Sequence, residues 1–153
     1  MSSRLTGRLR AAFGCHLLVA LAFLVVGVVY LVAPQWMPYH ERVADTSWDS
    51  LSASMRTLLL AFLRGSGAAM LAGALAVLVL LAIPFRRGER WAQHAVPAIG
   101  LVATLPLLGV MFWLEHETGA SVPLLPVVAA VALQVAGWAL ALSARSKAGE
   151  TRR

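Results

Sequence analysis

The stretch "TLLLAFLRGSGAAMLAGALAVLVLLAI", Thr57 to Ile83, decides the fold. As an α-helix it rises about 40 Å, more than the ~30 Å of a bilayer's hydrocarbon. Three more apolar runs accompany it, at about Ala11–Val32, Ala95–Trp113 and Leu124–Leu142. Each is near or above the ~20 residues that a spanning helix needs. The alternating strands of a closed barrel are absent. The expectation is an all-α, integral membrane four-helix bundle running up-down-up-down, with residues 1–153 forming a single membrane domain.

Composition agrees. Of 153 residues, 59% are hydrophobic and 13% charged, and the mean hydropathy is +0.76. A soluble domain carries about 25% charged residues, so the surplus apolar surface must face lipid. The net charge of +6 sits at the segment ends. It forms no basic stripe or aromatic platform, which argues against a nucleic-acid partner. A single cysteine, Cys15, excludes an intramolecular disulfide. Its apolar run follows it, the reverse of a lipidation signal. The first span is too long for a cleavable signal, and Pro34 directly follows Ala33, the only small-residue exit.

Orientation follows from the basic residues. Arg4, Arg8 and Arg10 lie in the tail 1–10, Arg86, Arg87 and Arg90 between spans two and three, and Arg145, Lys147, Arg152 and Arg153 in the tail 143–153. All fall on one side of a four-span chain. The opposite side has Arg42 and Arg56 but five of the seven acids: Glu41, Asp45, Asp49, Glu115 and Glu117. The positive-inside bias places both termini in the cytoplasm of a plasma (inner) membrane protein. Trp36, Trp48 and Trp113 mark the outer boundary, and Trp91 and Trp138 the inner one. In the outward loop 34–56, Thr46 and Asp49 resemble a capping box. They predict a helix beginning near Ser47, as an interfacial helix or an outward extension of span two.

Arg64 poses the chemical question. It lies about 10 Å inside span two, counted from Thr57. Ala61, Gly65, Ala69 and Gly73 form an i, i+4 ridge, and Ala68, Ala72 and Ala76 a second that Arg64 continues. Such ridges let helices approach closely, within the bundle or across a homodimer; packing within the bundle is expected. A guanidinium in that seam needs acceptors, and no Asp or Glu lies within a span. The candidates are Glu41, Asp45, Asp49, Glu115, Glu117, Tyr30, Thr104, backbone carbonyls or a ligand. A structural pair is the leading reading, a ligand site the second and a snorkelling side chain the third.

The candidate hotspot is therefore the outer layer: Arg64, Tyr30, His40, Glu41, Glu115, His116 and Glu117. The His and carboxylate spacing there matches no metal motif, so no metal and no cofactor are expected. His16 and His94 fall near the inner face. Gln134, in span four, is expected to make an interhelical hydrogen bond. Pro97, Gly100, Pro106 and Gly109 predict a kinked third span.

Three segments, "MPYH" (Met37–His40), "LRGSG" (Leu63–Gly67) and "IPFRRGERWA" (Ile83–Ala92), resemble small bacterial four-span proteins of a domain-of-unknown-function type. These have an Arg-Gly-Gly type second helix and are loosely DoxX-like. The likeness covers Tyr30 to Gly100. Where the group has paired glycines after the arginine, this chain has Ser66 before Gly67. The resemblance implies a membrane four-helix bundle and carries no activity.

Chemistry narrows the function. In-span carboxylates for proton coupling, paired cysteines, a serine elbow, a P-loop and a dinucleotide fingerprint are all missing. What remains is a bundle in the lipid bilayer that binds a lipid or small amphipathic molecule, or a membrane-protein partner. The alternative is a membrane enzyme or anion-permeable transporter with an outward-facing polar site around Arg64.

Overall fold

The computed structural model describes residues 7–150, with side chains placed through residue 144. Arg4, Arg152 and Arg153 lie outside the described residues, as do the side chains of Arg145 and Lys147.

Helix α1 (Gly7–Val32) stops where Pro34 crowds Ala33 out of helical geometry. A short α2 (Pro38–Ala44) opens on Pro38 and ends at Asp45, which is left-handed with φ 47°. Proline suits a first helical position because its missing N–H has no partner there. A 3-10 turn (Trp48–Ser50) follows. Ser52 Oγ then accepts the Met55 N–H at 3.3 Å and starts α3 (Ala53–Leu80). The loop thus holds both a short helix and an outward extension of span two. The helix expected at Ser47 is only that 3-10 turn, and Ser47 makes no side-chain cap.

A π-helical turn (Leu81–Phe85) closes α3 around Pro84. Proline cannot donate to the carbonyl four residues back and collides with it; a widened turn absorbs the misfit. Helix α4 (Ala92–Thr118) continues through Pro97 and Pro106 and ends at Gly119, φ 65°. Helix α5 (Leu124–Glu150) completes the fold.

Four helices are long and apolar enough to cross a membrane: α1, α3 with its π turn, α4, and α5 through Ala144. They have 26, 33, 27 and 21 residues. The protein is a multi-pass integral membrane bundle. Leu18, Val25, Phe62, Val79, Val102 and Leu125 face outward, as lipid contact requires.

Helix α1 packs against α3 on one side and α5 on the other, and α5 packs against α4. The α3–α4 seam is much lighter. Where α1 crosses α3 the backbones nearly touch. A Cβ on Gly67 would lie 2.7 Å from the Gly27 carbonyl oxygen and 2.9 Å from the Leu31 nitrogen. The buried stripe of α3 is Leu63, Gly67, Ala74 and Val77, continued by Leu81.

The expected packing ridge is corrected by this geometry. Ala61, Gly65 and Ala69 are exposed, and a Cβ on Gly65 or Gly73 would meet nothing within 4 Å. Ala68, Ala72 and Ala76 are exposed too. The face set by Leu63 and Gly67 meets α1, and the four-residue ridges are rotated away from it.

A dense core of Leu9, Ala12, Ala20, Val77, Leu81, Phe85, Ala92, Val96 and Ala141 fills the end of the bundle that carries Arg8, Arg10, Arg86, Arg87 and Arg90, here called the basic end. Arg8 Nη1 donates to the Ser143 carbonyl across it, at 3.3 Å.

Candidate functional site

Just above that core lie two fully buried polar side chains, His16 of α1 and Gln134 of α5. The register that sets Arg8 beside Ser143 also brings them together, Nδ1 to Oε1 at 2.5 Å. This is the interhelical bond expected of Gln134. A carboxamide oxygen only accepts, so Nδ1 of His16 carries the proton and donates. His16 Nε2 is buried without a partner. In this tautomer it is a bare lone pair, less costly to bury than a stranded N–H. The π turn sets Phe85 edge-on to the imidazole at 5.9 Å.

Two glycines make room for the pair. A Cβ on Gly137 would lie 2.8 Å from His16 Cε1 and Nε2, and one on Gly100 would overlap the Gln134 carboxamide. Thr104, also buried, turns its hydroxyl back to the Gly100 carbonyl at 2.9 Å. The amide N–H groups of Gln134 find no acceptor among the described residues.

Gln134 also forms part of the wall of a cavity of about 330 Å³ in the light α3–α4 seam. Val19 and Phe23 of α1 form the back. Ala69, Gly73 and Val77 of α3 face Ile99, Ala103 and Leu107 of α4. Among the described residues, only Ser66 and Gln134 bring polar side chains to it. The small residues expected to seat a helix, Ala69 and Gly73, instead leave the space open. Gln134 meets α1 at His16, whereas the cavity wall on α1 runs from Val19 to Phe23, so the carboxamide stands at the basic end of the space.

The outer-layer residues gather differently from expectation. Tyr30, His40 and Glu41 do converge, in an aromatic cap. The Tyr30 and Tyr39 hydroxyls are hydrogen bonded, and the His40 ring lies 4.0 Å from that of Tyr39 and 6.2 Å from that of Trp36. The Met37 N–H donates to His40 Nδ1 at 3.1 Å. Glu41 Oε1 accepts the Trp48 N–H at 2.9 Å and the Trp36 indole N–H at 3.4 Å. Arg56 lies over the Trp48 ring, 5.8 Å from its centroid, and donates to the Asp49 carbonyl at 2.5 Å. Burial lowers the His40 pKa from its ordinary value. Burial, then the Tyr30 hydroxyl, raises that of Tyr39.

Arg64 stands apart from this cap. It is exposed, does not line the cavity, and makes no hydrogen bond or ion pair among the described residues. The leading expectation, a buried structural pair, is corrected for a reason of rotation and height. Leu63 and Gly67 face α1, which turns Arg64 outward. The Gly27–Gly67 crossing also sets it level with about residue 32, the end of α1. It is about 30 Å of helix from Phe85, at the edge of the hydrocarbon, where a guanidinium reaches water. His116 and Glu117 are exposed at the end of α4, and Glu115 is half-buried. No hydrogen bond or ion pair links these three to the cap among the described residues, and no group of three potential metal ligands occurs there.

The sequence reading missed His16, Gly100 and Gly137 as parts of one site. The available signal was that two neutral polar side chains in apolar spans must satisfy each other. No family model matches the chain, and no curated protein or solved structure matches it.

Proposed function

We propose that the protein binds a hydrophobic small molecule inside the bilayer, in the cleft between α3 and α4. The observation that carries this reading is the cavity of about 330 Å³ in the α3–α4 seam, which stays open while the α1–α3, α1–α5 and α4–α5 seams are closely packed. An apolar cavity of about 150 Å³ holds benzene, so this one takes a ligand of about a dozen heavy atoms. Ala69, Ile99 and Ala103 on its walls are exposed, which supports lateral entry from the lipid. The basic end is assigned to the cytoplasm of a bacterial inner membrane, supported by the Lys/Arg asymmetry. Kinship with DoxX-like bundles belongs to the same proposal, supported by the three segments that carry the resemblance.

The test is native mass spectrometry of protein extracted in mild detergent. Gly73→Leu puts a side chain into the cavity where a Cβ meets nothing. Gly65→Leu adds the same bulk on the exposed face away from it. A co-purifying mass is expected in wild type and in Gly65→Leu, and lost in Gly73→Leu. Wild type without an adduct, or an adduct that survives Gly73→Leu, refutes the reading.

A further inference from the structure

We infer that the ligand of this cavity is a neutral lipophile bearing a carbonyl oxygen, recognised by the Gln134 amide N–H. The inference rests on the cavity reading above and adds the ligand's chemistry.

Gln134 is 1% exposed, and a donor left bare at that depth is costly. Its oxygen is engaged by His16 Nδ1, so the group it presents to a ligand is the N–H. The other polar groups nearby are spent, distant or turned away from the cavity. The Thr104 hydroxyl is bonded to the Gly100 carbonyl, and His16 Nε2 faces Gly137 of α5. Ser66 lies eleven residues along α3 from Val77, about 16 Å at 1.5 Å per residue, towards the cap. The site therefore has one donor at its basic end and an apolar channel leading away from it. An acceptor joined to a hydrocarbon chain matches that layout.

Charge excludes the anionic candidates. Among the described residues no cationic side chain lines the cavity, so a carboxylate would be desolvated against a neutral amide alone. Depth excludes the ester carbonyls of bilayer lipids as well. Gln134 meets α1 six residues inside Arg10, about 9 Å into the apolar region, whereas those esters sit at the headgroup boundary. A free lipophile is the occupant. His16 is a positioning residue here: its N–H holds the amide so that oxygen points to α1 and nitrogen to α4.

The experiment uses the full chain in lipid nanodiscs, with 2-tridecanone, carbon-13 labelled at its carbonyl, and tridecane as probes. Wild type is expected to bind the ketone about fivefold to tenfold more tightly than the alkane, the worth of one hydrogen bond. The bound carbonyl resonance should move downfield of the ketone in empty nanodiscs. Gln134→Met should abolish both the preference and the shift while still binding tridecane. His16→Phe should shrink the shift and weaken ketone binding more than tridecane binding, a split that a merely structural role would not produce. Gly73→Leu should bind neither probe. Equal binding of ketone and alkane by wild type, with no shift, overturns the carbonyl inference and leaves the cavity reading standing. Binding of neither probe by wild type overturns both. The wild-type comparison stands even where a Gln134 variant fails to fold.

Discussion

Arg64 shows how one side chain's energetics are set by rotation and height. A charge in an apolar helix suggests burial and a partner, because an unpaired guanidinium in hydrocarbon costs several kcal/mol. The fold avoids that cost by turning Arg64 outward at the level where α1 ends. Its replacement should therefore be nearly silent. Arg64→Leu is expected to change stability by less than about 0.5 kcal/mol, read as an unchanged melting temperature in detergent. A clear loss would restore a structural pair. Gln134 is the opposite case, a neutral residue at a position with no access to water. Its interhelical bond was legible from the sequence, because a polar side chain in a span must find a partner. Which partner was not, since His16 and Gln134 lie 118 positions apart.

Among the elements, the outer loop carries the clearest pH dependence. Helix α2 is held by His40 Nδ1 accepting the Met37 N–H, an interaction that needs the neutral imidazole. Burial lowers the folded pKa of His40 below its ordinary 6.5, so the unfolded segment binds the proton first as pH falls. The stabilisation is complete above the unfolded value and is lost as pH drops through the folded one. Acidification from about pH 7 to about pH 5 should loosen the cap, followed by the fluorescence of Trp36 and Trp48, which pack at 5.8 Å. His40→Phe should remove the transition, and its persistence there would place the titrating group elsewhere. The π turn works in the same local way. Pro84 was visible in the sequence as a helix breaker, but the delivery of Phe85 against Phe13 and His16 required the neighbouring helix to be in place.

In the molecule as a whole, packing is uneven: a filled core at the basic end, a backbone-to-backbone crossing at Gly27 and Gly67, and an open seam between α3 and α4. The proposed cytoplasmic placement of the basic end gives a direct test in a Cys15→Ser background. Ser50→Cys, in the outer loop, should react with a membrane-impermeant maleimide in intact cells. Gly88→Cys, beyond the π turn, should react only after permeabilisation. The reverse pattern would invert the topology.

Span number, helical class and the clustering of basic residues at one end could be read along the chain because each depends on local quantities. Apolar length against bilayer thickness and the distribution of Lys and Arg need no partner helix. Helix rotation and register did not yield to the same reading. Lipid is as apolar as a protein core, so a spanning helix shows no polar face to mark its outside. The ridge of Ala61, Gly65 and Ala69 therefore looked like a packing face, and Gly67 looked incidental. Only the packed bundle shows that Gly67 meets Gly27, that Gly100 and Gly137 make room for His16 and Gln134, and that a cavity remains where α3 and α4 fail to close.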